Sequence, residues 1–182
     1  MVLLKRWLNN GVDIMPKYKK KIMRQMEYKE FEEAIQDLPI NRQAFLSILF
    51  FAGVRVSEAL ALTSDDIEDC TIDTVYVKFF RLKGSQPTDP IPLPKIDALS
   101  WLCDQEGELF SFHRTTAYRL VKKVFPSLYP HYFRMNRITK ISEEFGDAFV
   151  YSFVGICAQS IDHYRGKVDI KKVGQALREE LV

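Results

Sequence analysis

The stretch NRQAFLSILFFAG, residues 41–53, is apolar on nearly every side when wound as a helix. A helix with one apolar stripe can lie on a surface, but one that is apolar all round has to be enclosed by other elements. The chain is therefore expected to build around a central buried helix. Gly53 falls just past its end, where the left-handed conformation that terminates many helices is open to glycine without a Cβ penalty.

The flanking segments supply the wrapping. From Tyr28, residues Phe31, Ala34, Ile35 and Leu38 recur at helical spacing until Pro39 ends the run. After Gly53, VRVSEALALTSDDI reads as a short helix closing at a polar turn. TIDTVYVKFFRLKG is rich in Val, Tyr, Phe and Thr and runs into Gly-Ser-Gln-Pro, and PIPLP follows as a second extended piece. This predicts a hairpin with a loop of about six residues. Pro90, Pro92 and Pro94 put the second strand at a sheet edge, because proline donates nothing to a ladder. Helices are expected again over about 95–105, 114–125, 130–145, 148–155 and 168–181. The fold class is α+β, mostly helical, with a small antiparallel β-sheet.

Bulk properties narrow the field less. The 182 residues suffice for one full-sized domain, and 47% hydrophobic with 27% charged residues is a globular balance. A net charge of +2 says little about partners, so only its distribution can. Residues 1–27 are basic (Lys17, Lys19, Lys20, Lys21, Arg24) and form an arm or loose helix before a domain over 28–182. Two readings stand for this arm, a solvated charge run or a phosphate-seeking extension. Cys70, Cys103 and Cys157 lie far apart without a CxxC pair. That spacing argues against zinc, and the odd count argues against a disulfide framework, so a reducing interior is expected. MVLLKRWLNN is too short an apolar run for a signal peptide or membrane span, so the expected location is cytoplasmic, with no membrane partner.

Two clusters could carry chemistry. PHYFRMNRIT, residues 130–139, sets His131 and Arg134 three apart on one helix face, with Arg137 a further turn on. Pro130 suits a first helical turn, where exposed backbone N–H groups and the dipole favour an anion. Arginine adds a planar fork that matches phosphate. The bland alternative is a set of structural salt bridges. The second cluster is Arg55, just past the glycine break, with Glu58 three residues on to orient it. A surface ion pair is the ordinary reading of such a pair. Against it, the apolar stretch before Arg55 would hold it rigidly, as a transition-state clamp requires.

Taken in order, Gly-x-Arg-x-x-Glu, Leu-Thr-x-x-Asp-Ile, a basic hairpin, His-x-x-Arg and a tyrosine near the C-terminus resemble the catalytic domain of tyrosine recombinases, the phage-integrase and Xer-type enzymes. The resemblance spans roughly Tyr28 to Lys167. GVRVSEALALTSDDI is similar to the family's first arginine box. ELFSFHRTTAYRLVKKVFPSLYPHYFRMNRIT is similar to the run into its second box.

The resemblance implies a site-specific recombinase or integrase that breaks and rejoins double-stranded DNA through a 3′-phosphotyrosyl intermediate. Tyr164 would attack the scissile phosphodiester. Arg55 and Arg134 would neutralise the pentacoordinate phosphorus, and His131 would bond a non-bridging oxygen or assist proton transfer. Lys83, at the hairpin tip, would protonate the 5′-oxygen; Lys78 and Arg81 compete for that role. Glu58, Arg137, His163 and Arg165 are the accompanying substrate-binding candidates. No metal and no cofactor is implied, since fixed cations supply the electrostatic work. A tyrosine nucleophile needs such company, its phenol titrating near pH 10 when left alone. Tyr164 as a mere packing residue is the alternative, and Tyr151, in an apolar run, reads as core. His113, at a helix start, reads as structural or as a phosphate contact.

Two departures from the family pattern stand out. Ile156 follows Gly155 where a His or Trp usually follows glycine, and isoleucine donates no hydrogen bond. This favours the alternative of a catalytically impaired DNA-binding protein on the same fold. The helical domain that usually precedes the catalytic one has no counterpart in residues 1–27, so DNA binding should be weak and salt-dependent. VDIKKVGQALREELV reads as an amphipathic tail helix that packs on its own domain or on a neighbour. The resemblance thus implies self-association on DNA as a dimer or tetramer, in a host cell interior or nucleoid, and a mobile-element or viral setting.

Overall fold

The structure, a computed structural model, describes residues 24–80 and 89–154. Helix α1 (Tyr28–Ile35) leads through Pro39 into α2 (Ile40–Ala52), whose residues from Ala44 to Phe50 are all buried, as the all-round apolar pattern requires. α3 (Val56–Leu60) follows, then strands β1 (Ile67–Cys70), β2 (Thr74–Val77) and β3 (Ile91–Pro94). α4 (Asp97–Ser100) runs into a 3-10 turn at Trp101–Asp104, and α5 (Arg114–Val124), α6 (Pro130–Phe145) and α7 (Asp147–Val154) complete the order.

An aromatic cluster locks the helices together. Phe31 of α1 stacks on Phe50 of α2 at 4.2 Å between centroids, and Phe125 and Phe133 close the cluster edge-on at 5.4 Å. Such pairs add about 0.5–1.5 kcal/mol each beyond the area they bury. A smaller group, Ile138, Ile141, Val150 and Val154, holds α6 to α7. The chain ahead of α1 is anchored too. Tyr132 Oη donates to the Arg24 carbonyl at 2.7 Å, the Met26 N–H donates to Asn136 Oδ1 at 3.3 Å, and Met26 is buried in the core.

The sheet is antiparallel in the order β1-β2-β3. Pro92 and Pro94 sit opposite Tyr76 and Thr74 on β3, an edge strand, as their lack of N–H groups demands. β1 was not expected. Its sequence Ile-Glu-Asp-Cys is polar and its residues are half-exposed or exposed, so pairing with β2, not patterning, makes it a strand. Ahead of β1, the Asp66 carboxylate accepts from the Thr63 N–H at 2.8 Å and from its hydroxyl at 3.0 Å, giving the Leu-Thr-x-x-Asp-Ile run a structural purpose.

The cysteine reading needs correction. Cys70, ending β1, and Cys103, in the turn after α4, form a disulfide with Cα atoms 6.3 Å apart. The α4 turn folds back against β1 and brings two of the three cysteines together across 33 residues, which the odd count had argued against. The cysteines therefore no longer argue for a reducing compartment. Among the described residues no helix is long and apolar enough to cross a membrane.

Candidate functional site

Gly53 is the pivot. It ends α2 in the left-handed region, φ 60°, with its N–H donating to the Leu49 carbonyl at 3.2 Å. A Cβ built there would lie 2.9 Å from Arg137 Cβ and 3.8 Å from Arg134 Cα. Both the backbone conformation and the close approach of α6 thus call for glycine. The turn that follows delivers Arg55 to the start of α3.

Glu58 fixes Arg55 from two sides. Its carboxylate accepts the Arg55 backbone N–H at 2.9 Å and the Arg55 Nη1 at 2.6 Å. The Glu58 side chain is wholly buried while that of Arg55 is about one-third exposed, at 34%. A charge-assisted pair with one enclosed partner orients the guanidinium outward from a rigid base.

Arg134 enters from α6, whose first helical residue is Pro130. It is fully buried; Nη1 donates to the Gly53 carbonyl at 2.8 Å and Nη2 to the Val154 carbonyl at 3.4 Å. Gly53 caps α2 and Val154 is the last residue of α7, so the cation meets the negative ends of two helices. His131 stands one turn earlier on α6. His131 is exposed to solvent, so the desolvation that lowers its pKa below 6.5 is only partial, and the positive charges of Arg134 and Arg55 act in the same direction. That dual influence ties His131 and the two arginines into one neighbourhood at the α2–α3 junction.

Arg137 is placed differently. Its guanidinium lies over the Phe153 ring at 5.4 Å, and Nε is buried with no hydrogen-bond partner. Burial lowers its pKa and the Glu144 carboxylate opposes that. The Arg137 Cβ packs against Gly53 at the edge of the cluster, while its guanidinium turns to Phe153. Lys78 pairs with Glu68 at 3.2 Å. His113 stands at the N-cap position of α5 without a side-chain capping hydrogen bond. Lys83, Arg81, Gly155, Ile156, His163, Tyr164, Arg165, the tail helix over 168–181 and the basic arm before Arg24 lie outside the described residues. What sequence reasoning missed is the backbone: the carbonyls of Gly53 and Val154 hold Arg134, and no side-chain pattern encodes a carbonyl.

No family model matches the chain, and no curated protein matches its sequence. Solved structures do match its shape. The XerH site-specific recombinase, in a post-cleavage complex with palindromic difH substrate, superposes with a TM-score of 0.69 at 17% identity, over 93% of this chain and 57% of that one. The XerA recombinase gives 0.59 at 20% identity, over 88% and 65%. The Tn1549 transposon integrase, bound to circular-intermediate DNA, gives 0.56 at 16% identity, over 85% and 64%. The chain spans less than two thirds of the length of each of these three. Its own architecture, a mostly helical body with a small antiparallel sheet, is the fold of the tyrosine-recombinase catalytic domain.

Proposed function

We propose that the chain is the catalytic domain of a site-specific DNA recombinase or integrase working through a 3′-phosphotyrosyl intermediate. The observation that carries this is the meeting of α6 with the α2–α3 turn: Arg134 bonds the Gly53 carbonyl two residues ahead of Arg55, and His131 stands one turn earlier on α6. Arg55 reaches solvent from its pair with the buried Glu58, and His131 and Arg134 of α6 stand beside the same turn, which makes a place where an anion is welcome.

In this reading the Tyr164 phenolate attacks phosphorus as the 5′-oxygen leaves, taking its proton from Lys83. The arginines balance the charge that grows on the non-bridging oxygens, and His131 bonds one of them. The new phosphotyrosine bond replaces the broken P–O bond, so attack by a free 5′-hydroxyl reverses the step without ATP. His163, Arg165 and Arg137 steady the phosphate, and Glu58 aims Arg55 at it. Self-association on DNA as a dimer or tetramer, a cell-interior or nucleoid location, a viral or other mobile-element setting, and the division into an arm at 1–27 and a domain at 28–182 belong to the same proposal. The XerH and Tn1549 structures hold DNA, which supports a DNA partner here.

A second reading, a DNA-binding protein with impaired catalysis, rests on Ile156, which offers no donor where the family pattern has one. One experiment separates the two. Incubation with a pool of nicked duplexes of randomised sequence should trap a covalent protein–DNA adduct on denaturing gels, and Tyr164→Phe should abolish it while DNA retention persists. Retention without adduct from the wild type favours the impaired reading. An adduct that survives the substitution removes Tyr164 from its role.

A further inference from the structure

We propose that residues 24–27 form a brace that sets the pose of α6, and that Tyr132 and Asn136, which hold the brace, are positioning residues for strand cleavage. The proposal rests on the recombinase reading and deepens it. His131 and Arg134 both stand on α6, so the pose of that one helix fixes where two of the site's cations point. Arg134 secures one face of the helix, its Nη1 donating to the Gly53 carbonyl at 2.8 Å. At about 100° per residue, Tyr132 and Asn136 each lie about 160° around the helix from Arg134, on the opposite face.

Four consecutive residues meet that opposite face. The Arg24 carbonyl accepts the Tyr132 hydroxyl at 2.7 Å, and the Met26 N–H donates to Asn136 Oδ1 at 3.3 Å. Gln25 Nε2 donates to the Glu143 carboxylate at 2.6 Å, and the Glu27 carboxylate faces Lys140 Nζ at 3.7 Å. Tyr132, Asn136, Lys140 and Glu143 follow one another at helical spacing, so they form a single stripe along α6. The lengths match. Tyr132 to Lys140 rises about 12 Å at 1.5 Å per residue, and Arg24 to Glu27 covers about 10 Å as extended chain.

Two of these contacts are enclosed. Tyr132, Asn136 and Met26 are all buried, so water competes little for either hydrogen bond. An apolar residue at position 132 or 136 would fill the same space without fixing a neighbouring backbone, so tyrosine and asparagine there act as tethers. Helix α6 is thus held on one face by the carbonyls of Gly53 and Val154, and on the other by the brace. A helix gripped from both sides resists rocking, and rocking is what would carry His131 and Arg134 off a shared phosphate. A misplacement of about 1 Å costs up to about 100-fold in rate.

The test pairs Tyr132→Phe, which keeps the ring and removes the hydroxyl, with Asn136→Leu, which keeps the volume and removes the acceptor. Single-turnover adduct formation on the nicked-duplex pool at saturating DNA should slow about 5-fold for Tyr132→Phe, the loss of one hydrogen bond, and about 10- to 100-fold for the double variant. The DNA concentration giving half-maximal rate should stay the same, because the brace touches no phosphate. Amide exchange read by mass spectrometry should quicken several-fold over residues 130–137 while α2 keeps its protection. Tyr28→Phe, which removes a hydroxyl bonded to Glu32 within α1, is the control and should change neither readout. A double variant with wild-type rate and wild-type exchange on α6 overturns the proposal. So does exchange that quickens equally in α2 and α6, since that is a general loss of stability. If Asn136→Leu does not fold, Tyr132→Phe decides alone by the same two readouts. Wild-type protein that forms no adduct overturns the recombinase reading instead; faster exchange confined to α6 in the double variant then upholds the brace, and its absence overturns it.

Discussion

Two groups of cations in this molecule live under opposite conditions. At the α2–α3 junction, Arg134 is fully buried against the carbonyls of Gly53 and Val154, and Arg55 leans on a carboxylate that sees no solvent. At the groove between α2 and α5, Arg42, Arg119 and Lys123 stand in water without partners among the described residues. A buried cation loses hydration, and only well-placed acceptors offset that loss. In exchange its direction is fixed. An exposed cation keeps its hydration and its rotamers, and its pull on an anion fades over about 8 Å at physiological salt. The first group can therefore hold geometry and the second can supply affinity.

That contrast can be broken at several points. Arg134→Ala should have the largest effect, because it removes a charged group bonded to two helix ends: roughly 3–5 kcal/mol of stability in urea denaturation, at 1.5–3 kcal/mol for each charged hydrogen bond. Arg134→Lys should recover little of it, since a point-like ammonium does not span both carbonyls. A near-wild-type denaturation midpoint for Arg134→Ala would show that burial there carries no structural weight. Gly53→Ala comes next, at about 2 kcal/mol or more, from the left-handed backbone and the Cβ driven into Arg137. On a domain of this size that lowers Tm by several degrees.

Glu58→Gln keeps the shape and removes the charge that aims Arg55. Adduct formation should slow by about 10- to 100-fold, as expected for a misplaced clamp, with the salt slope of DNA binding unaltered. If the slope moves and the rate does not, Arg55 belongs with the exposed group. A pH experiment probes His131. Its folded-state pKa lies below 6.5, so the native protein resists a proton that the unfolded chain accepts. Stability should then rise with pH up to about 6.5 and fall on acidification. His131→Gln should flatten that slope, and an imidazole NMR titration midpoint above 6.5 would refute the assignment. Arg137→Met should be mildest, within about 0.5 kcal/mol, because the aliphatic packing stays and the buried Nε has no hydrogen bond to lose. A marked loss of DNA affinity in that variant would assign Arg137 to the phosphate site.

The residues themselves explain why some of this was legible early. The run from Ala44 to Ala52, apolar but for Ser47, could only be a buried helix, and the glycine after it could only be a turn. Pro130 opens α6 and Pro39 immediately precedes α2 for the same local reason, a fixed φ and a missing N–H. Glu58 three residues beyond Arg55 was readable as an orienting partner because that spacing makes neighbours on one turn. β1 was not readable, since a half-exposed Ile-Glu-Asp-Cys becomes a strand only when β2 lies alongside. The Cys70–Cys103 bond, which spans 33 residues, was hidden for the same reason.

Arg134 and Arg137 draw the dividing line most clearly. Both are arginines on one helix, three residues apart, and local chemistry treats them alike. Periodicity, capping and turn residues act over a few positions, so the chain order alone could specify the helices, the glycine hinge and the type of residue at each candidate position. Which guanidinium turns inward to the carbonyls of two helix ends and which lies over Phe153 depends on α2 and α7 arriving from elsewhere in the chain. Long-range packing sets the direction of a charge, because a buried cation is tolerated only where distant parts of the backbone have already brought acceptors to meet it.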